Sequence, residues 1–284
     1  MSDAFLDHLK RATLSADTQE QCRLLTEQAH LFFATPHVAQ YWELVRQWDL
    51  EPCATSMPVL IQGWLAFLCG DRPALHRLLP VLSFSDAITD AAAESSMRHA
   101  LHALSGLEPD PQKRLFHAEQ ANACLSESSE EAGVGASLNR GVTVNGTRNP
   151  VARMVLANAR LTLAQVLAGQ EQVRRAAAMF EEAEALFRAA AMPFPAAVAC
   201  TNALLNHYRL GRHLLVLERA QRVLSDAAAF QGEEQAWWRL VRLPAGMACC
   251  ELLKPAMAVA HLQDARHWSV QDCAGGRHRR RGTP

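Results

Sequence analysis

Apolar residues recur every three or four positions along most of this chain, which is the period of an amphipathic α-helix. The segment 174–190 shows the pattern most clearly, because its charged residues fall on the side opposite the apolar stripe. The stripe consists of Ala176, Met179, Phe180, Ala183, Leu186, Phe187 and Ala190. Alternation of apolar and polar residues, which predicts β-strands, occurs only briefly, at 142–144. The pattern therefore predicts an all-α fold.

Glycine and proline steps divide this pattern into helices of roughly 12 to 20 residues. Each step lies between two apolar-periodic runs, where helix ends and tight turns are expected. The steps are Gly70-Asp71, Gly106, Gly169-Gln170, Gly211 and Lys254-Pro255. The last three are about 42 residues apart, and a period of that length holding two helices is typical of helical repeats. We therefore expect an α-solenoid of antiparallel helix pairs, a tetratricopeptide-like superhelix of about 12 to 14 helices.

The second helix of each predicted pair can be compared with tetratricopeptide repeats, in which a small residue is followed four positions later by a bulky one and three positions after that by another small one. Ala176, Phe180 and Ala183 reproduce both the spacing and the sizes. The other pairs keep the spacing with different sizes: Leu75, Leu79 and Leu82; Val216, Ala220 and Val223; and, most weakly, His117, Ala121 and Cys124. Any amphipathic helix produces this spacing, so the register agrees with a superhelix without specifying it.

Glycine, serine and asparagine residues interrupt the helical pattern in 126–150. Loops of that length inside a compact domain are uncommon and are often functional or disordered. We expect a loop or hinge there, between N-terminal helical repeats in 1–125 and C-terminal helical repeats in 151–268. The remaining residues, 269–284, form a basic tail that we expect to be flexible.

A succession of motifs in the first third of the chain is similar to a known family. Met57-Pro58-Val59-Leu60 leads through Gly63-Trp64 to the turn Cys69-Gly70-Asp71, and a leucine-rich run from Leu75 to Leu82 follows. From Trp42 to Leu82 the chain thereby resembles the helical-repeat region of the large MalT-like, LuxR-type bacterial transcription regulators, and 151–268 resembles the repeats that follow. The resemblance implies a sensor and protein-interaction arm, which in that family lies between an NTPase module and a C-terminal helix-turn-helix.

Neither of those flanking modules is evident in this sequence. No G-x-x-x-x-G-K-[ST] motif occurs, so the P-loop of a nucleotide site is missing. Gly133-x-Gly135 lacks the third glycine and the preceding strand of a dinucleotide-binding turn. Only 16 residues follow Trp268, too few for a DNA-binding domain. We therefore expect an isolated arm, either a fragment or a stand-alone relative, without a cofactor.

Charge is unevenly distributed along the chain, although the formal net charge is only −1. Four arginines lie in 277–281, and without them the rest of the chain carries −5, which disfavours contact with a phosphate backbone. No aromatic residue is interleaved with these arginines for base stacking, so we expect a solvated tail. Eight cysteines without a C-x-x-C pair, no leader sequence and no apolar run of membrane-spanning length indicate a reduced cytoplasmic protein.

Catalytic and metal-binding chemistry is sparse. His99 and His102 lie three residues apart on a predicted helix, but no third ligand follows at a diagnostic spacing, so solvated or capping histidines are the expectation. Cys249 and Cys250 point about 100° apart on a helix and cannot face one partner, which favours a structural role. No G-x-S-x-G nucleophile turn occurs. We therefore expect neither an enzyme nor a metal site, with a helical metal enzyme as the remote alternative.

The strongest candidate for a binding surface combines aromatic and arginine side chains, which are enriched in binding hot spots. Its residues are Trp237, Trp238, Arg239 and Arg242, with His207 and Tyr208 on the corresponding helix one repeat earlier. The alternative is that one tryptophan is core and the other seals a helix–helix joint. The expected ligand is a protein or peptide segment or a small effector. A stand-alone scaffold or co-chaperone would need an arginine-based clamp for an acidic tail, because the chain has only three lysines.

Overall fold

The computed structural model describes residues 2–35, 37–50, 56–82, 92–104, 108–131, 150–228 and 233–274. Within these ranges all regular structure is helical and no β-strand occurs, which confirms the all-α prediction. The first half contains α1 (Ser2–Ser15), α2 (Thr18–Glu27), α3 (Ala29–Phe33), α4 (Val38–Val45), α5 (Met57–Leu68), α6 (Arg72–Leu82), α7 (Ala92–Leu104) and α8 (Pro111–Glu131). The second half contains α9 (Pro150–Gly169), α10 (Val173–Ala189), α11 (Pro193–Arg209), α12 (His213–Ala227), α13 (Glu233–Trp237), a 3-10 helix (Trp238–Val241), α14 (Arg242–Glu251) and α15 (Pro255–Ala274).

The predicted glycine and proline steps lie between helices wherever the structure describes them. Gly70 and Gly211 follow the last turns of α5 and α11 with φ of +69° and +73°, a left-handed conformation that only glycine adopts without strain. Gly169 is the last residue of α9, and the Lys254-Pro255 step separates α14 from α15. The step at Gly106 lies outside the described residues.

In the second half, most helices that are neighbours in the chain also pack against each other. α10 packs between α9 and α11, α11 contacts α12, and α14 packs on α15. The stripe predicted for α10 faces this core, since Ala176, Phe180 and Ala183 are buried. Short connections and small buried residues therefore bring successive helices close together.

In the first half, large aromatic side chains fill much of the core. The rings of Phe5, Phe32 and Tyr41 meet edge to face, with centroids 5.0 to 5.8 Å apart. Trp64 on α5 donates its indole N–H to the carbonyl of Met97 on α7 at 3.1 Å. Contacts between helices distant in sequence therefore add to those between neighbouring helices, such as α5 with α6 and α7 with α8.

The two halves share one hydrophobic core. α9 packs against α7 and α8 and also contacts α3. The predicted loop begins later than the sequence indicated, because α8 continues to Glu131, and 132–149 lies outside the described residues. The tail also begins later, since α15 continues to Ala274, and 275–284 lies outside the described residues.

Two further sequence expectations need adjustment. α9 is long and apolar enough to cross a membrane by length and composition, but half of that window is buried against other helices, which equally fits a core helix. Cys22 is disulfide-bonded, which differs from the predicted fully reduced chain. The free thiols are those of Cys69, Cys124, Cys200, Cys249 and Cys250.

Candidate functional site

A groove of about 430 Å³ opens on one side of the second half. Three helices supply most of its wall: α9, α11 and α14, with one side chain from α10. The lining residues are Gln165, Ala168, Phe180, Asn202, Leu205, Asn206, Tyr208, Arg209 and Met247. Apolar side chains thus form the body of the groove, and amide, phenol and guanidinium groups are placed along it.

Asn206 is the most informative of these residues. Its side chain is only 4% exposed, and Nδ2 donates to the carbonyl of Asn202 one turn earlier at 2.8 Å. The other amide atom, Oδ1, is buried and has no hydrogen-bond partner. A buried polar atom without a partner costs about 1–3 kcal/mol, so the hydrogen bonding of Asn206 is incomplete in this structure.

Tyr208 and Arg209 place polar groups where α11 ends. The hydroxyl of Tyr208 donates to Oε1 of Glu251 at 2.9 Å, and this bond joins α11 to the end of α14. The same hydrogen bond raises the pKa of Tyr208, so the phenol stays protonated at neutral pH. Arg209 is exposed at the groove, with its guanidinium in long contact, 3.5 Å, with the carbonyl of Ala168. The groove therefore has a positive charge available for an acidic ligand group.

A charged network joins α10, α11 and α12. Arg219 on α12 donates to Oε1 of Glu181 and, at 2.6 Å, to Oε2 of Glu184. His207 on α11 contacts Glu181 at 2.9 Å, and Arg188 donates to Glu184 at 3.0 Å. Burial raises the pKa of Glu181, but the hydrogen bond from His207 and the charge of Arg219 outweigh burial and hold that pKa below its usual value. The network fixes the relative positions of the three helices.

The structure does not place the predicted tryptophans on an open surface. Trp238 is 1% exposed with the guanidinium of Arg188 4.2 Å above its ring, and Trp237 packs on Phe194 with centroids 5.8 Å apart. The cause is the 3-10 helix, whose three residues per turn put Trp238 and Val241 on the same, buried side. Both tryptophans are therefore buried, which agrees with the alternative interpretation that they belong to the core and to a helix–helix joint.

The other predicted site residues are dispersed. Arg239 is exposed and does not line the groove, and Arg242 pairs with Asp264 at 3.0 Å, which joins α14 to α15. His207 is buried and bonded to Glu181. Tyr208 alone of the six residues lines the groove. Residues of α11 line this groove together with Met247 of α14, and neither predicted tryptophan is among its lining residues.

The histidines of α7 find their partner on α8, which the spacing did not reveal. Nδ1 of His99 lies 2.9 Å from Nδ1 of His117, and the ring of His102 stacks on His117 with centroids 5.4 Å apart. Burial lowers the pKa of His99 to about 4, with smaller contributions from the charges of His117 and His102. Across the described ranges, no three His, Cys, Asp or Glu side chains are arranged to hold a metal ion.

The cysteine pair of α14 has the predicted divergence, with Cys249 buried and Cys250 exposed. Burial raises the pKa of the Cys249 thiol, and burial raises the pKa of Cys200 to about 12. Neither buried thiol is therefore activated as a nucleophile.

No protein-family model, no curated protein and no solved structure matches this chain.

Proposed function

We propose that this chain is a non-catalytic, tetratricopeptide-like helical-repeat module that binds a protein segment. In this proposal it corresponds to the sensor and interaction arm of a MalT-like, LuxR-type transcription regulator, as a fragment or a stand-alone relative. Support comes from the packing of each helix from α9 to α12 on the next, with a turn after α9 and α11 at the predicted steps. The groove is lined mainly by α9, α11 and α14, the first helices of successive pairs.

The observation that supports this function best is the unpartnered Oδ1 of Asn206 in the wall of the groove. A buried amide acceptor between apolar side chains matches an extended peptide, which presents backbone N–H donors and side chains in alternation. Phe180, Leu205 and Met247 offer apolar contacts for those side chains. Arg209 then favours a segment with a carboxylate near the end of the groove.

The test is to select binders from a random peptide library on the full chain and to measure the best peptide against Asn206→Leu. This substitution keeps a similar side-chain volume and removes Oδ1. We expect binding to weaken about 5- to 100-fold, because one hydrogen bond to a buried acceptor is lost. Calorimetric titration gives the affinities, and circular dichroism verifies that helicity is unchanged.

The matched control is Thr201→Val on the same helix. Thr201 is buried to a similar degree, but its hydroxyl is bonded to the carbonyl of Ala197 and it does not line the groove. We expect unchanged peptide affinity. Equal affinities in wild type and Asn206→Leu, or failure of the library to yield any saturable binder, would contradict the proposed function.

The scaffold or co-chaperone alternative has one observation in its favour, the arginine at the groove. If the ligand is an acidic tail, Arg209→Gln should weaken binding of an acidic peptide by about tenfold and abolish its salt dependence. If the ligand is an apolar segment held by its backbone, Arg209→Gln should leave affinity nearly unchanged while Asn206→Leu reduces it.

A further inference from the structure

A second cavity, of about 150 Å³, lies in the first half between α4, α5 and α6, far along the chain from the groove. Two indole rings and two arginines are among its lining residues. The complete lining is Trp42, Arg46, Trp48, Gln62, Ala74, Arg77 and Leu78. None of these residues takes part in the proposed peptide groove.

Hydrogen bonds hold the aromatic walls of this cavity in place. The indole N–H of Trp42 donates to Oδ2 of Asp71 at 3.1 Å, and that of Trp48 donates to Oγ1 of Thr13 at 2.9 Å. Gln62, which is 6% exposed, donates to the carbonyls of Val45 and Trp48 and so fixes the end of α4. Both indole donors are already used, so the rings contribute apolar surface and the walls are rigid before any ligand arrives.

Two guanidinium groups, those of Arg46 and Arg77, lie at the cavity beside the carboxylates of Glu43 and Asp71. Arg46 pairs with Glu43 at 2.9 Å, but this is an exposed pair on one helix, and such pairs contribute little and exchange readily. Arg77 makes no ion pair or hydrogen bond among the residues that the structure describes. The nearby carboxylate of Asp71 is occupied, since its oxygens accept from Trp42 and from the backbone N–H of Ala74. An anion can therefore contact guanidinium groups without displacing a strong internal partner.

Size and shape restrict the ligand. A cavity of about 150 Å³ accommodates one six-membered ring, the size of benzene. Flat indole faces favour a planar aromatic ring, and the planar guanidinium fork pairs with a carboxylate through two parallel hydrogen bonds. We infer that this cavity binds a small aromatic carboxylate, with the ring between Trp42 and Trp48 and the carboxylate at Arg46 and Arg77.

Benzoate and its neutral isostere benzamide are the probes that test this site on the full chain. We expect saturable binding of benzoate with a Kd below about 1 mM and at least tenfold weaker binding of benzamide. Equal affinities for the two compounds, or no saturation with benzoate, would overturn the inference. Inorganic phosphate is the third probe. If phosphate binds as tightly as benzoate and displaces it, the site recognises charge alone, and the inference is overturned.

Variants separate the site from a general charge effect. Arg77→Gln should weaken benzoate binding about fivefold or more, and Arg46→Gln should act in the same direction. The matched control is Arg72→Gln, an exposed arginine at the start of the same helix that does not line the cavity, for which we expect no change. Equal losses in Arg72→Gln and Arg77→Gln would contradict the site. Asn206→Leu should leave benzoate binding intact, so this test and that of the peptide groove succeed or fail separately.

Discussion

The two halves of the molecule contribute different side chains to the core that they share. In α9 to α12 many fully buried positions are alanines, including Ala157, Ala176, Ala183 and Ala220. In α1 to α6 the buried positions are often aromatic, with three rings in edge-to-face contact and three buried tryptophans. Small residues allow the long helices of the second half to approach closely, whereas bulky rings join the shorter helices of the first half.

This difference also determines what each half offers a ligand. The second half leaves a groove of about 430 Å³ lined by α9, α11 and α14, which has room for a peptide segment. Aromatic packing leaves a small cavity with flat walls, which suits one ring. The second half is thus the better candidate for binding a protein, and the first half for binding a small molecule.

The largest expected effect compares a ring-rich and an alanine-rich part of the shared core directly. Phe32 and Phe187 are both fully buried, but Phe32 also has ring partners, with centroids at 5.0 Å to Phe5 and 5.8 Å to Tyr41. Truncation of either phenylalanine to alanine should destabilise the protein by about 3–5 kcal/mol. We expect the Phe32→Ala loss to be larger by about 1 kcal/mol, because edge-to-face pairs contribute beyond the area they bury.

Urea unfolding measures both losses, and Phe32→Leu and Phe187→Leu serve as milder variants if the alanine proteins do not fold. Equal losses in the two positions, in either the alanine or the leucine pair, would indicate that the aromatic contacts add nothing to burial.

The second prediction compares the pH dependence of the two halves. The folded pKa of His99 is about 4, against 6.5 for the unfolded group, so the unfolded chain binds a proton in that interval that the folded chain does not. Stability of the α7–α8 pair should therefore fall as the pH falls from about 6.5 to 4. In the second half the pKa of Glu181 is lowered from 4.5, so the stability it contributes is lost only as the pH falls below 4.5.

Hydrogen exchange at pH 7 and pH 5 measures these local stabilities separately. At pH 5 we expect faster opening of α7 and α8 and little change in α10, after correction for intrinsic exchange rates. His99→Gln should remove most of the effect at α7 and α8. If α7 and α8 lose as much stability between pH 7 and pH 5 in His99→Gln as in the wild type, the pH response belongs to another group.

The third prediction concerns a close contact between α14 and α15 in the second half. A Cβ atom added at Gly246 on α14 would lie 2.7 Å from Cγ of Leu262 on α15. Gly246→Ala should destabilise the protein by about 1–3 kcal/mol, because the helices or the leucine must move. The double variant Gly246→Ala with Leu262→Ala should lose less than the sum of the single losses in urea unfolding. Additive losses would show that the two positions do not touch.

Much of the fold could be predicted because its signals are local. The 3.6-residue period of α10 and the glycines that end α5 and α11 depend on neighbouring residues, and the structure has them where the sequence indicated. The loop after α8 was predicted to begin at residue 126, which is too early. Serine and glutamate residues continue the helix to Glu131, although a serine-rich segment is typical of a loop. Local composition is thus a weaker guide than periodicity.

The candidate site was mostly not predictable, because it depends on contacts between distant residues. Arg219 meets Glu181 and Glu184 from another helix, and no spacing rule links them. The sequence left open whether the tryptophans form a surface or the core, because the 3-10 turn that buries Trp238 together with Val241 has no local signal. Asn206 did leave a signal, since it and Asn202 are polar residues four positions apart within the apolar run of α11, and that pattern places two amides on one face.

The smallest expected effect concerns the turns, which are alike in the two halves although the side chains that each half contributes to the core differ. Gly70 and Gly211 both have positive φ, and no atom lies within 4 Å of a Cβ added at either. Alanine at each position should therefore cost the same, about 1 kcal/mol, from backbone strain alone. Gly169 is the matched control, because it also ends a helix but lacks positive φ, and Gly169→Ala should be neutral or stabilising by up to about 1 kcal/mol. Thermal unfolding of the three single variants measures these differences. If Gly70→Ala destabilises the protein clearly more than Gly211→Ala does, the two halves differ in their turns as well as in their core side chains.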